Sequence, residues 1–293
     1  MEKINSVTII GTLVETTLKE GVTKATPERP SSKYINGSFV LKVNNTATNS
    51  EMLIEVPVFT SELKKDKTVS KVYEALQTLE SNKGRRLEVH CGLTENKFYS
   101  DRNGAIIKTN KLRMNFFSVL PVGDTREDSA TFSVNGFIVE PLKEKNNKDG
   151  DLICYELKLG QSDYSEKKAD IFTITVDAKN QSAADYIRDN YQKGDTVTLN
   201  GHLNYTVETV TVKQEAEFGE PIIKTYQNST KQFVCDSGKK DLDGYSDEVI
   251  NSLITGAKED DNAVLEKARN TAPANPSNPA PTQVASTNRN LVL

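Results

Sequence analysis

Short runs in which apolar and polar residues alternate, each bounded by turn formers, fill the first 240 residues of the chain. A period of two marks a half-buried strand. Ile54, Val56 and Val58 form one such inward set, which leaves Glu55 and Phe59 on the opposite face. The pattern also repeats. Val7-Thr-Ile-Ile-Gly-Thr-Leu-Val-Glu15 recurs in outline as Phe132-Ser-Val-Asn-Gly-Phe-Ile-Val-Glu140, and each opens a similar series of elements, the mark of a duplicated unit. In the first copy the alternation predicts strands near 4–15, 38–45, 52–60, 86–98 and 107–119, with a helix near 70–82. In the second it predicts strands near 131–140, 152–160, 170–177, 195–208 and 222–235, with a helix near 181–191. Lys83-Gly84 and Lys193-Gly194 each put a glycine where a helix C-cap is expected.

Short strands, one helix between the third and fourth, and a glycine-containing hairpin are the element order of a five-stranded Greek-key barrel, the OB-fold. The expected architecture is therefore mainly β: two tandem OB-fold five-stranded barrels, each with one helix, followed by a short helical segment and a disordered C-terminal tail. The first barrel is expected over residues 1–120, a linker of turn formers and charges over 121–129, and a divergent second barrel over 130–240. Residues 241–269 are acidic and partly helical, with Ser246 as N-cap and an acidic first turn ahead of Val249, Ile250, Leu253 and Ile254. Residues 270–293 are mostly Pro, Ala, Asn, Ser and Thr, too poor in apolar area to offset chain entropy, and end in Leu291-Val-Leu293.

Length agrees with the repeat, since 293 residues favour about two domains. The net charge of −4 is unevenly spread. Residues 1–128 carry 19 basic and 16 acidic side chains, residues 129–240 carry 14 and 17, and residues 241–293 carry 4 and 8. Cys91, Cys154 and Cys235 lie in separate strands without metal spacing, and their odd number argues against a secreted disulfide framework. They read as small buried hydrophobes. No apolar run approaches the roughly 18 residues of a membrane span, and Met1-Glu-Lys-Ile-Asn-Ser lacks the core of a signal peptide, so a cytoplasmic location is expected.

Catalytic chemistry finds little support. His90 and His202 are the only histidines, both in strands, and no P-loop, HExxH, GxSxG or clustered Cys/His spacing is present. A non-enzymatic protein without cofactor or metal is expected; a metal-dependent nuclease built on scattered carboxylates is the weakest alternative.

Single-strand binding needs cations for phosphates and exposed aromatic faces for bases, and the first copy offers both. Gly92 to Gly104 carries Lys97, Phe98, Tyr99 and Arg102 into a hairpin turned by Asn103-Gly104, and the returning arm adds Lys108, Lys111 and Arg113. Alternation puts Phe98 and Tyr99 on opposite faces, so at least one is expected in the core. Phe59 is either an exposed aromatic or packed under the following helix. The long loop Gly21 to Tyr34 holds Lys24, Arg29 and Lys33, either flanking an OB-fold groove or merely solvated.

Asn5-Ser-Val-Thr-Ile-Ile-Gly-Thr-Leu13, Val56-Pro-Val-Phe-Thr60, the helix ending in Lys83-Gly84, Leu87-Glu-Val-His-Cys-Gly-Leu93 and Tyr99-Ser-Asp-Arg-Asn-Gly104 together resemble the bacterial single-stranded DNA-binding protein (SSB) family, in its order and approximate spacing. The resemblance covers roughly residues 3–119. It implies that Phe59 and Tyr99 stack on bases, and two divergent copies in one chain suggest a bacteriophage replication gene acting in the host cytoplasm. The family normally has one OB domain per chain, assembles into tetramers, uses tryptophan at some stacking sites, and ends in an acidic, apolar-tipped peptide that recruits partners. This chain has two copies and no tryptophan, and its end, Asn288-Arg-Asn-Leu-Val-Leu293, is not acidic. Its acidic stretch, Lys258-Glu-Asp-Asp-Asn262, lies upstream, where it would compete with DNA for a basic groove.

In the second copy Asp177 and Glu208 stand at the positions of Phe59 and Tyr99, while Tyr155, Tyr164, Tyr205 and Tyr226, with Lys158, Lys167 and Lys168, could form a different face. The expected function is non-catalytic binding that coats and protects single-stranded DNA in replication or recombination, with the first barrel dominant. The alternative is an OB-fold protein-interaction module of a replication complex with little DNA affinity of its own. Expected partners are single-stranded DNA, replication or recombination proteins held by the second barrel or the tail, and a further copy of the chain.

Overall fold

The first strand of each repeat lies at the centre of the molecule, and the rest of each unit winds away from it. The structure, a computed structural model, describes residues 2–25, 31–45, 50–64, 66–214 and 222–271, with all their side chains except those of residues 45, 207–229 and 271. The expected disordered tail falls almost wholly in 272–293, outside the described residues.

The first unit comprises β1 (Asn5–Thr16), β2 (Lys19–Val22), β3 (Lys33–Asn45), β4 (Ser50–Ser61), α1 (Lys71–Gln77) with a 3-10 turn at Glu80–Asn82, β5 (Arg86–Ser100) and β6 (Ala105–Val119). The second comprises β7 (Ser129–Asn146), β8 (Leu152–Ser162), β9 (Ala169–Asp177), α2 (Gln181–Asn190), β10 (Thr196–Gln214) and β11 (Ile222–Lys240), after which comes α3 (Asp247–Thr271). The second unit closes as a ring, β7–β8–β9–β11–β10–β7, in which β9 and β11 meet in parallel at Thr175 and Val234. The first follows the same order, β4–β3–β1–β5–β6. This is the expected pair of OB barrels, strand for strand, with one addition. β2 pairs with residues 33–36 as an extra hairpin in what the sequence reads as loop, because Lys19-Glu-Gly-Val22 has too little apolar content to show a period.

Equivalent residues do equivalent work in the two units. β1 crosses β3 at Gly11, where a Cβ would sit 2.6 Å from the Lys42 carbonyl oxygen, and β7 crosses β8 at Gly136, where it would sit 2.3 Å from that of Gly160. Only glycine fits either crossing. Gly84 and Gly194, which the sequence reads as helix caps, adopt φ of +82° and +91° in the turns entering β5 and β10. They donate their N–H groups to Leu13 and Ile138, again matched positions. Ser70 and Asn180 cap α1 and α2 by accepting from Tyr73 N and Ala183 N, the usual use of short polar side chains.

β1 pairs with β7 antiparallel, so one sheet runs through both barrels. Their apolar interiors are continuous: Val7, Ile9 and Leu13 belong to the same buried cluster as Phe132, Val134 and Ile138. Fully burying one such side chain stabilises by about 1.5–3 kcal/mol. All three cysteines are buried, and burial pushes the Cys91 thiol up to about 12 and that of Cys235 up to about 11.

α3 is longer than the short helix the sequence suggests. Ser246 caps it, and Ile250, Leu253 and Ala257 pack with Phe137 and Ala169 on the second barrel. Gly256 lets the helix lie against Lys167, whose carbonyl oxygen is 2.1 Å from where a Cβ would be. Apolar periodicity ends near Ile254, but the helix runs to Thr271, its polar half held by the ion pairs described below. No helix among the described residues is long and apolar enough to cross a membrane.

Candidate nucleic-acid interface

The β5–β6 hairpin turns at Ser100–Gly104, where Asn103 and Gly104 both donate to the Ser100 carbonyl and Gly104 takes φ of +62°. From Gly92 to Ser100 the ladder is free of bulges, so alternation assigns faces. Glu95, Lys97 and Tyr99 share one with their cross-strand partners Asn110, Lys108 and Ile106; Asn96 and Phe98 share the other with Thr109 and Ile107, and Lys111 lies on it opposite Thr94. Phe98 is 48% exposed and Tyr99 half-buried, so neither is in the core. The expectation of one core ring fails because this arm projects past the barrel interior.

Two cations expected to meet phosphate are already engaged. Lys97 Nζ lies 2.8 Å from both Asp260 and Asp261 of α3 and 3.1 Å from Glu95. Lys108 binds Asp261 at 2.6 Å and approaches Glu95 at 3.6 Å, while Lys168 binds Asp260 at 2.8 Å. Three carboxylates thus meet three ammonium groups where hairpin, second barrel and α3 converge. The side chains of Lys97 and Glu95 are only 8% and 1% exposed. Burial alone would lower the Lys97 pKa, but Asp260, Asp261 and Glu95 raise it well above the ordinary lysine value. Burial would raise both aspartates, and the lysines hold them below the usual carboxylate range instead. Sequence reasoning brought the acidic stretch near a basic groove but not onto these two residues, because the contacts span 153 and 164 positions.

The remaining candidates are dispersed. Arg102 is exposed at the hairpin tip, Lys111 and Arg113 are exposed on β6, Lys24 is exposed after β2, and Lys33 is exposed on β3. Arg29 lies outside the described residues. Phe59 is 70% exposed on β4 and not under the helix. Its ring lies 5.6 Å from that of Tyr34, which the sequence reading missed. Tyr34 is cross-strand to Ser61 and hence diagonal to Phe59, a placement hidden as long as the residues before 38 read as loop.

Between the barrels runs a groove of about 750 Å³. Glu55 and Pro57, on the same face of β4 as Phe59, line one side, and Asn96, Thr109 and Lys111, on the same face as Phe98, continue it. The second barrel supplies the opposite wall through Thr173, Tyr205 and Lys231. The Asn110 amide ties the walls together, donating to the Thr173 carbonyl at 2.7 Å and accepting from its N–H at 3.0 Å.

Among the described side chains, the different face considered for the second barrel does not come together. Tyr155 and Tyr205 are buried, Tyr164 is exposed, Lys158 is bonded to Thr173, and Lys168 is paired with Asp260. The side chains of Glu208 and Tyr226 lie outside the description, while Asp177 is exposed. The histidines have partners: His90 stacks on Phe116 at 4.3 Å, and His202 meets Asp236 at 2.8 Å. Among the described residues no group of three His, Cys, Asp or Glu is placed to hold a metal ion.

Fold and groove define a mainly β protein of two OB barrels that share one sheet and enclose a polar, lysine-bearing cleft. By sequence the chain belongs to the YorF family, whose model matches residues 3–270. No curated protein matches it. Among solved structures, the wild-type single-stranded DNA binding protein from Thermus aquaticus is 13% identical, over 84% of this chain and 97% of that one, with a TM-score of 0.48. A deletion mutant of the same protein is 16% identical, over 84% and 98%, with a TM-score of 0.43.

Proposed function

We propose that this YorF-family protein binds single-stranded DNA without catalysis, coating and protecting it during replication or recombination. The observation that carries the reading is the exposed Phe59, backed by the half-buried ring of Tyr34, on the strand face that continues into the groove. A Phe left 70% exposed forgoes much of the stabilisation that burial would give, and a base stacked on it recovers that contact. Phe98 on the hairpin adds a second exposed ring, and Arg102, Lys111 and Arg113 supply charge. Stacking on rings with phosphate contacts from a basic path is how single strands are held without sequence preference.

The test is fluorescence anisotropy of a labelled oligothymidine of about 30 nucleotides against the full chain, with duplex as competitor and salt varied. Salt-sensitive, single-strand-selective binding is expected, weakened by about 1–3 kcal/mol in Phe59→Ala. Equal affinity for duplex and single strand, or none for either, overturns the reading. The second result would favour a protein-interaction module, for which the second barrel offers a cavity of about 400 Å³ beside α2, lined by Tyr186, Tyr191 and Leu199.

A further inference from the structure

Lys97 and Lys108 are consumed by the carboxylates of α3, so the charge that meets a phosphate backbone must come from elsewhere. Of the lysines lining the inter-barrel groove, Lys145 is held by Glu156 at 2.7 Å and Lys108 by Asp261. Lys111 and Lys231 remain, both exposed, and neither is in an ion pair among the described residues. They stand on opposite walls, one on each barrel. Lys231 Nζ lies over the ring of its cross-strand neighbour Tyr205, 5.8 Å from the centroid, and meets no carboxylate among the described residues.

The geometry points to a single-strand path that runs through this groove and uses both barrels, with Lys111 and Lys231 contacting the phosphates while Phe59 and Phe98 take bases at its edges. The inference rests on the single-stranded DNA reading above and extends it to the second barrel. Phe59 shares its face with Pro57, and Phe98 shares its face with Asn96 and Thr109, so each ring continues a surface that already lines the groove. Rings placed so require unstacked bases, which a duplex does not offer. Hydroxyls and amides line much of the rest, and among the described residues the carboxylates on the walls are Glu55 and Glu156, of which Glu156 is paired. The Asn110–Thr173 bridge fixes one wall against the other, so little ordering is needed when a strand enters.

The experiment compares the full chain with Lys111→Ala, Lys231→Ala, the double variant, Lys231→Arg and Lys83→Ala, all titrated with labelled oligothymidine at several salt concentrations. Lys83 is exposed at the far end of β5 from the hairpin and controls for net charge. Each groove lysine removed is expected to reduce the slope of log K against log salt by about 0.7, which is about 5-fold in affinity at about 0.1 M salt. The double variant should lose about 25-fold on the same basis, while Lys231→Arg and Lys83→Ala bind as the parent does. If the parent binds and Lys231→Ala keeps its affinity and slope, the path through the second barrel is wrong and the first-barrel reading stands. If the parent does not bind single strands, both fall together.

Discussion

Val7 faces Phe132 across the β1–β7 ladder, and the two occupy the same position in the two copies of the repeat. Asn5 pairs with Val134 and Ile9 with Ala130, so the ladder is symmetric about this central pair. The barrels are thus related by a local two-fold axis, as two subunits of a dimer would be. Duplication has put an isologous interface inside one chain.

A chain cut after residue 120 would leave the paired edge of β1 open, together with the apolar contacts of Val7 and Ile9. It is expected to self-associate through β1 in place of β7, sedimenting as a dimer, because the edge is self-complementary and unpaired edges seek partners. A well-behaved monomer of residues 1–120 would show that the symmetry has been lost from the interface energetics.

Lys97 and Lys111 were equivalent candidates in sequence, yet the structure gives them opposite sensitivities. Lys97→Ala leaves Glu95 buried without its nearest counter-charge and is expected to destabilise by about 3–5 kcal/mol. Lys111→Ala, on an exposed face, should stay within about 0.5 kcal/mol of the parent. Guanidinium unfolding midpoints at matched slope decide between this and equal effects.

The cluster of α3 and the hairpin has a definite pH window. Asp260 and Asp261 are held below the ordinary carboxylate value, so their contribution is complete above the unfolded value, about 3.9, and is lost as pH falls through their lower folded values. Lys97 is raised, so its contribution is complete below about 10.4 and disappears only as pH rises beyond its folded value. The stability difference between the parent and Asp260→Asn/Asp261→Asn should be flat from about pH 5 to 9 and vanish in acid. A melting series that shows the difference changing near neutrality would contradict the assignment.

Gly256 opposes two effects. Alanine favours an exposed helix interior by about 1 kcal/mol over glycine, but here its Cβ would meet the Lys167 carbonyl. Overpacking of this kind costs about 1–3 kcal/mol, so Gly256→Ala should lower the melting temperature and speed proteolysis within α3. A rise in stability would mean the helix does not rest on that loop.

The strands and the repeat were legible in the sequence because inward sets such as Ile54, Val56 and Val58 carry their period locally. Phe59 was legible as the outward member of the same run. What was hidden depends on contacts between distant segments. Nothing near Lys97 reveals that residues 260 and 261 will reach it, and nothing near Lys231 reveals a groove whose other wall lies on β6. The length of α3 was hidden for the same reason, since its second half owes its place to partners on both barrels. Tyr34 was missed by reading a basic stretch as loop when it is the start of β3.

The charge network also sets an order in time. Glu95, Lys97 and Lys108 emerge from the ribosome long before Asp261, which follows Lys108 by 153 residues and Lys97 by 164. N-terminal units fold first during synthesis, so the first barrel must form with its hairpin carrying an unbalanced set of charges. The hairpin's final seat waits for the second half of α3, and a truncation upstream of residue 260 removes both aspartates that complete it.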